Sequence, residues 1–302
     1  MMKYLYYPGC SAEATGKPFQ ESLLEVFKVL GIPFEELHQW NCCGATAYMS
    51  IDELKAFALA ARNLALAEKQ CLTGAMETVD LIAPCAACYL VLLKTHKYIE
   101  EYPEIKNKIT AALSQVSLQY GGRVRVRHAF EVLVNDIGTD RISKGVKKPL
   151  RDLRVACYYG CQIVRPYALF DDIDNPSSMD RLINVIGAEV VDWPLKTRCC
   201  GGSLMGTIPD VGLRLNHIIL REAQKHGADV IATACPLCQF NLECYQDKIV
   251  KQVDRNFTRI PVAFFTQLLG LAFGINERKL GIQRLFMPIK AQGRYREGGQ
   301  HV

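Results

Sequence analysis

The stretch Val79-Asp80-Leu81-Ile82-Ala83-Pro84-Cys85-Ala86-Ala87-Cys88 runs a short apolar segment straight into a C-x-x-C, and Ala228-Asp229-Val230-Ile231-Ala232-Thr233-Ala234-Cys235-Pro236-Leu237-Cys238 does so again. Apolar runs of this length bounded by turn residues read as buried strands, here strands that deliver two thiols to a turn at their carboxyl ends. Working outward, the same partners precede both. Cys10 is followed after 31 residues by Cys42-Cys43-Gly44 and after 40 more by Cys85; Cys161 is followed after 37 residues by Cys199-Cys200-Gly201 and after 33 more by Cys235. Tyr6-Tyr7-Pro8-Gly9-Cys10 also matches Tyr158-Tyr159-Gly160-Cys161. Self-similarity at this period means two copies of one structural unit rather than a solenoid.

The segments between the cysteines repeat as well. Leu23, Leu24, Phe27 and Leu30 mark one helix face ending at Gly31, and Leu182, Ile183, Val185 and Ile186 mark its counterpart ending at Gly187. A second strand leads to each Cys-Cys-Gly, and longer amphipathic helices over 52–70 and 210–226 follow. Arg125-Val126-Arg127-His128 and Ile260-Pro261-Val262-Ala263-Phe264 read as a further strand pair, each followed by a helix. The alternation predicts an α/β fold of two pseudo-symmetric repeats, with mostly parallel sheets flanked by helices. Ligands of such sheets gather outside the carboxyl ends of the strands, where three cysteine-bearing turns of each copy converge. The first repeat is expected over 1–150 and the second over 151–288, joined through Asp136 to Asp152, where Gly138, Gly145, Lys147-Lys148 and Pro149 break the pattern. Residues 289–302 lose apolar periodicity and read as a mobile or partner-bound tail.

With 302 residues, 49% of them apolar, the chain buries a sizeable core. The net charge of +5, from 36 Lys and Arg against 31 Asp and Glu, is spread along the chain, so no nucleic-acid partner is expected. Met1 to Pro8 lacks the plan of a signal peptide, and the longest uncharged stretch, Ile260 to Ile275, falls short of the ~20 residues a bilayer requires. A cytoplasmic protein with no membrane span is expected.

In a reducing compartment thirteen cysteines point to metal or redox chemistry, and their odd number argues against a simple disulfide framework. Zinc takes four ligands, whereas each copy offers five thiols, two of them adjacent, which suits an iron–sulfur cluster better. A zinc site, a thiol–disulfide relay and unliganded structural cysteines are the competing readings. Gly44 and Gly201, directly after the cysteine pairs, supply an open turn around a bulky cofactor. Cys71, Cys157 and Cys244 stand outside the repeat and read as ordinary thiols.

The two motif sets resemble the paired CCG cysteine-rich domains, and both copies together, to about Pro288, resemble the B subunit of heterodisulfide reductase. The resemblance implies that Cys10, Cys42, Cys43, Cys85 and Cys88 hold one noncubane [4Fe–4S] cluster. It implies that Cys161, Cys199, Cys200, Cys235 and Cys238 hold a second, facing the first across the pseudo-twofold. It further implies reductive cleavage, or reversible formation, of a disulfide between two small thiols. Electrons would arrive through an iron–sulfur partner like the C subunit of heterodisulfide reductase and a flavin partner like its A subunit. No C-x-x-C-x-x-C-x-x-x-C-P run and no glycine-rich dinucleotide fingerprint is present, so cubane clusters and flavin are expected from partners. The alternative is an electron-transfer subunit of a respiratory or sulfur-oxidising dehydrogenase complex, passing electrons from a flavin protein to quinone or another carrier.

Small thiol substrates of this kind are anionic, which makes Lys196 and Arg198, just before Cys199, candidates for a cleft cation, against the plainer reading of solvated loop charges. His128 follows a strand where the second copy has Phe264, and the asymmetry suggests a substrate or proton-donor role, against a satisfied strand-end histidine. The Gly44 to Cys85 gap exceeds its counterpart by seven residues, and an insertion near Cys71 to Thr78 would absorb the excess.

Overall fold

The first copy builds a parallel sheet from β1 (Tyr4–Tyr6), β2 (Phe34–Glu36), β3 (Val79–Ile82) and β4 (Val124–Arg127), in the order β2-β1-β3-β4. The second builds the same sheet from β5 (Arg154–Tyr158), β6 (Glu189–Val190), β7 (Val230–Thr233) and β8 (Val262–Phe264), in the order β6-β5-β7-β8. This computed structural model describes residues 4–71, 78–287 and 289. Every strand pairing is parallel, with Leu81 opposite Leu5 and Val126 in one sheet and Ile231 opposite Ala156 and Val262 in the other. Central strands such as β7 are buried along their whole length, as parallel strands covered on both faces require.

Helices fill the crossovers in matching order. In the first copy these are α1 (Lys17–Val29), α2 (Ala47–Ile51), α3 (Glu53–Cys71), α4 (Ala86–Glu101), α5 (Pro103–Ser114) and α6 (Ala129–Val132). After α7 (Gly138–Gly145) come α8 (Ser178–Val185), α9 (Leu204–Thr207), α10 (Pro209–Lys225), α11 (Pro236–Cys244), α12 (Gln246–Gln252) and α13 (Phe265–Ala272). α1 begins with Pro18 in its first turn, where the missing N–H costs nothing, and buries Phe19, Leu23, Val26 and Phe27 on one face.

That face of α1 packs against the second copy. Phe19 stacks on Phe264 with ring centroids 4.5 Å apart, Ser22 Oγ lies 2.6 Å from Thr266 Oγ1, and Phe130 meets Phe265 edge-on at 5.4 Å. One hydrophobic core therefore runs through both copies, taking in Tyr4, Phe27, Val155, Tyr158 and Phe264. A further core, with Leu5, Phe57, Leu64, Leu81 and Leu92, belongs to the first copy.

The joint over Asp136 to Asp152 is ordered: a π turn over Leu133–Ile137 runs into it, and α7 follows. Long-range contacts outweigh the two glycines there. Ile142 is buried, the Arg141 guanidinium donates to the Leu30 carbonyl, and the Lys147 and Lys148 N–H groups both donate to the Ala272 carbonyl, at 2.8 and 2.9 Å. Gly145 is required by packing, since a Cβ there would stand 3.0 Å from the Phe273 ring. Of the longer Gly44 to Cys85 gap, α3 takes up two residues, with 19 against 17 in α10. The insertion expected near Cys71 to Thr78 falls mostly on 72–77, outside the described residues, as does the tail apart from Ile289.

Candidate metal centres

Each of the ten repeated cysteines follows the carboxyl end of a strand. β1 leads to Cys10, β2 to Cys42 and Cys43, and β3 to Cys85, with Cys88 one turn into α4; β5, β6 and β7 do the same for Cys161, Cys199 and Cys200, and Cys235 and Cys238. Because the strands are parallel and adjacent, their turns meet along one edge. Cys42 Sγ lies 3.8 Å from Cys10 Sγ, Cys43 Sγ lies 3.2 Å from Cys88 Sγ, and Cys200 Sγ lies 3.4 Å from Cys238 Sγ. Cys42 also stands beside Cys43, Cys85 beside Cys88, Cys161 beside Cys199, and Cys235 beside Cys238, each pair close enough for one thiol to shift the acidity of the other. Cys85 of the first copy lies beside Cys235 of the second, near enough that each thiol shifts the other's acidity, so the two sets face one another across the seam.

Neighbouring thiols split one another's acidities. Cys10 and Cys161 are pushed up, chiefly by their contacts with Cys42 and Cys199; Cys42 is brought down to about 2, chiefly by its contacts with Cys10 and Cys43, and Cys199 to about 6, chiefly by its contact with Cys161. Cys43, Cys85, Cys88, Cys200, Cys235 and Cys238 are buried, whereas Cys10 and Cys199 are exposed.

Backbone geometry holds each loop against its neighbours in the same way in both copies. The Tyr7 hydroxyl donates to the Asn41 carbonyl (2.7 Å), and the Tyr158 hydroxyl, three residues before its own first cysteine, donates to the Arg198 carbonyl (2.5 Å). Asn63 on α3 donates to the Asn41 carbonyl at 3.0 Å, and Asn216 on α10 to the Cys200 carbonyl at 3.2 Å. Gly44 and Gly201 adopt φ of 80° and 90°, and the Gly201 N–H donates to Cys199 Sγ at 3.3 Å. Gly9 and Gly160, at φ 72° and 68°, leave room for the C-x-x-C sulfurs, because a Cβ would stand 3.1 Å from Cys88 Sγ and 3.2 Å from Cys238 Sγ.

These donors fit an iron–sulfur group. Several thiolates gathered in one buried place repel one another, and a polycationic core that binds soft sulfur relieves the repulsion. Five sulfurs per copy gathered at three neighbouring strand ends, two of them adjacent in sequence, match a multi-iron core. Among the described residues, no three His, Cys, Asp or Glu groups surround a single-ion position.

The charged candidates are placed differently from one another. Lys196 is 7% exposed and committed to an internal ion pair, its Nζ 2.6 Å from Asp180 Oδ1, while Asp180 Oδ2 accepts from the Tyr159 hydroxyl. That pairing holds the β5 turn against α8 and leaves Lys196 no free charge to present to a ligand. Arg198 is exposed on the loop before Cys199. The cation whose field reaches Cys199 is Arg165, which also donates to the Thr197 carbonyl. Sequence reasoning missed it, and the one available signal was its position four residues past Cys161, where the first copy has Ala14 after Cys10.

His128 is fully buried and caps α6, its Nδ1 accepting from the Phe130 N–H at 3.1 Å, which places the ring proton on Nε2. It sits beside Cys235 and the backbone of Pro84 and Ala234, at the seam. Burial pushes its pKa down to about 4, so it is neutral in ordinary buffers. Phe264 holds the same register position and caps α13. Of the unrepeated cysteines, Cys157 is buried on β5, where its carbonyl accepts from Trp193 Nε1 at 3.1 Å, and Cys71 and Cys244 close α3 and α11.

The profile of the CCG family, described as a cysteine-rich domain, matches residues 4–93 and 155–243, and the chain belongs to that family. It is 31% identical to the 8-methylmenaquinol:fumarate reductase membrane anchor subunit of Wolinella succinogenes, over 93% of this chain and 95% of that one. It is 29% identical to a heterodisulfide reductase B-subunit-like protein of Archaeoglobus profundus, over 93% of each chain. It is 31% identical to the B subunit of the ferredoxin:CoB-CoM heterodisulfide reductase of Methanosarcina mazei, over 81% of this chain and 80% of that one. A hypothetical protein from Helicobacter pylori shares the fold at a TM-score of 0.75 and 17% identity; the match covers 95% of this chain and 52% of that one, so this chain spans about half its length. Among the described residues no helix is long and apolar enough to cross a membrane.

Proposed function

We propose that this chain is the iron–sulfur subunit of a cytoplasmic heterodisulfide reductase-type complex, each copy holding one noncubane [4Fe–4S] cluster through its five cysteines. The observation that carries this reading is the gathering of both five-cysteine sets at the strand ends, with Cys43 against Cys88, Cys200 against Cys238, and Cys85 of one copy beside Cys235 of the other. When bound, the paired clusters supply one-electron steps and iron sites for sulfur on both sides of the seam. The chain's own residues do the placing. Tyr7 and Tyr158 fix the cysteine-pair loops, Gly9 and Gly160 open space beside Cys88 and Cys238, and the exposed Cys10 and Cys199 mark where each set reaches solvent. Arg165 supplies positive charge at the second opening and favours an anionic substrate there. Cleaving one disulfide consumes two electrons and two protons and yields two thiols. The electrons come from an iron–sulfur partner like the C subunit of heterodisulfide reductase and a flavin partner like its A subunit.

The test is iron and acid-labile sulfide analysis of anaerobically purified protein, followed by addition of a mixed disulfide of two small anionic thiols to the reduced form. About eight irons and eight sulfides per chain are expected, with a new paramagnetic signal on adding the disulfide. Zinc in place of iron would overturn the reading.

The likeness to the Wolinella succinogenes protein favours a second reading, in which the chain passes electrons between a flavin protein and quinone. Rapid quinone-linked oxidation, with no signal from any disulfide, would select it.

A further inference from the structure

The backbone donors to the two sulfur sets are matched. The N–H groups of Gly44 and Ala45 lie beside the thiols of Cys42 and Cys43 and act to lower their pKa, and those of Gly201 and Gly202 do the same for Cys199 and Cys200. The side chains are not matched. Asn241, three residues after Cys238 on α11, directs its Nδ2 at Cys200 Sγ, 3.6 Å away, and at the Gly202 carbonyl, 2.8 Å away. A carbonyl only accepts, so the amide nitrogen must face Gly202, and its second hydrogen is then left for the sulfur. The side chain is 1% exposed, so water does not compete. The same position in the first copy, three residues after Cys88, is Val91, also buried and without an N–H to give. A further difference has the same sign: Arg165 stands near Cys199 where the first copy has Ala14.

Hydrogen bonds and positive charge at a ligand sulfur withdraw electron density and favour the reduced, more negative state of an iron–sulfur group. From this asymmetry, and resting on the cluster reading above, we infer that Asn241, by donating to Cys200 Sγ, makes the centre held by the second copy the easier of the two to reduce. Electrons entering either copy then settle at the second, the one whose opening carries Arg165.

The experiment is a redox titration of the anaerobic full-length protein followed by electron paramagnetic resonance. Two separate midpoint potentials are expected. Asn241→Leu should lower the higher one, changing the reduced-to-oxidised ratio at fixed potential about tenfold, ~59 mV for one electron, and leave the lower one unmoved. Asn241 also braces Gly202, so a second readout accompanies the potentials. Protein labelled with nitrogen-15 at asparagine side-chain amides should show, by electron–nuclear double resonance, a nitrogen coupling to the higher-potential centre that Asn241→Leu removes, while the couplings of Asn216, on the Cys200 carbonyl, and of Asn41, on the Cys42 carbonyl, stay the same in both proteins. Two centres whose potentials ignore Asn241→Leu, or no nitrogen coupling lost in that variant, would overturn the inference and leave the cluster reading standing. Protein that takes up no iron and sulfide would end both.

Discussion

Gly160 lies so close to Cys238 that its own missing Cβ defines the space around the sulfur: a methyl there would stand 3.2 Å from Sγ. Its φ of 68° adds strain for any other residue. Gly160→Ala should therefore destabilise the protein by about 1–3 kcal/mol and halve its iron content. Gly9→Ala, facing Cys88 at 3.1 Å, should do the same to the first copy. Metal analysis with thermal unfolding checks both, and full iron retention in either variant would refute the tight-cradle argument.

Lys196 and Arg198 should separate cleanly. Lys196→Met strands the Asp180 carboxylate inside the protein beside the Tyr159 hydroxyl, and loss of one partner of a buried pair costs about 3–5 kcal/mol. Arg198→Ala, at an exposed position, should fall within ~0.5 kcal/mol of wild type. Denaturant titration of the two variants measures the difference.

Arg165→Gln should weaken binding of an anionic thiol or disulfide about tenfold, the worth of one charge-assisted hydrogen bond, while iron content stays unchanged. The readout is KM for the mixed disulfide beside metal analysis. An unaltered KM would remove Arg165 from the substrate opening.

Glu243 gives a pH dependence of stability. It is 4% exposed, its Oε1 accepts from the Met287 N–H at 3.1 Å, and burial raises its pKa from the ordinary 4.5 to about 7. The folded state thus holds this proton more tightly than the unfolded chain does. The associated stability is fully present below about pH 4.5 and is lost as pH rises through about 7. Glu243→Gln should flatten that window and gain up to ~3 kcal/mol over wild type at pH 8. Denaturant unfolding at pH 5 and pH 8 tests it.

Stripping iron should loosen both copies together. Ligands drawn from three turns of each sheet tie distant segments, so chelation under reducing conditions should lower Tm by roughly 10 °C or more. An unchanged Tm after complete iron loss would mean that the sulfur groups bear no part of the fold's stability.

The sheets and long helices were legible because their signals are local: apolar runs at β3 and β7, helical spacing at α1 and α10, and cysteines at strand ends. What escaped depends on partners far along the chain. Nothing near Lys196 announces Asp180 sixteen residues earlier, and nothing in Asp136 to Asp152 announces that the Leu30 and Ala272 carbonyls will hold it in order. Arg165 lies outside every repeated motif, and Tyr7 and Tyr158 stood out as matching letters without revealing that their hydroxyls brace the loops before Cys42 and Cys199. Asn241 is visible only once the repeats are superimposed and Val91 is found in its place.

The parallel stack of Phe19 on Phe264 has a bearing on how the duplication can be handled. Severing the chain between α7 and β5 would yield two pieces, each laying bare an aromatic face that the other normally covers. Produced singly, such halves should aggregate; produced in the same cell, they should find one another and be recovered as a stoichiometric pair.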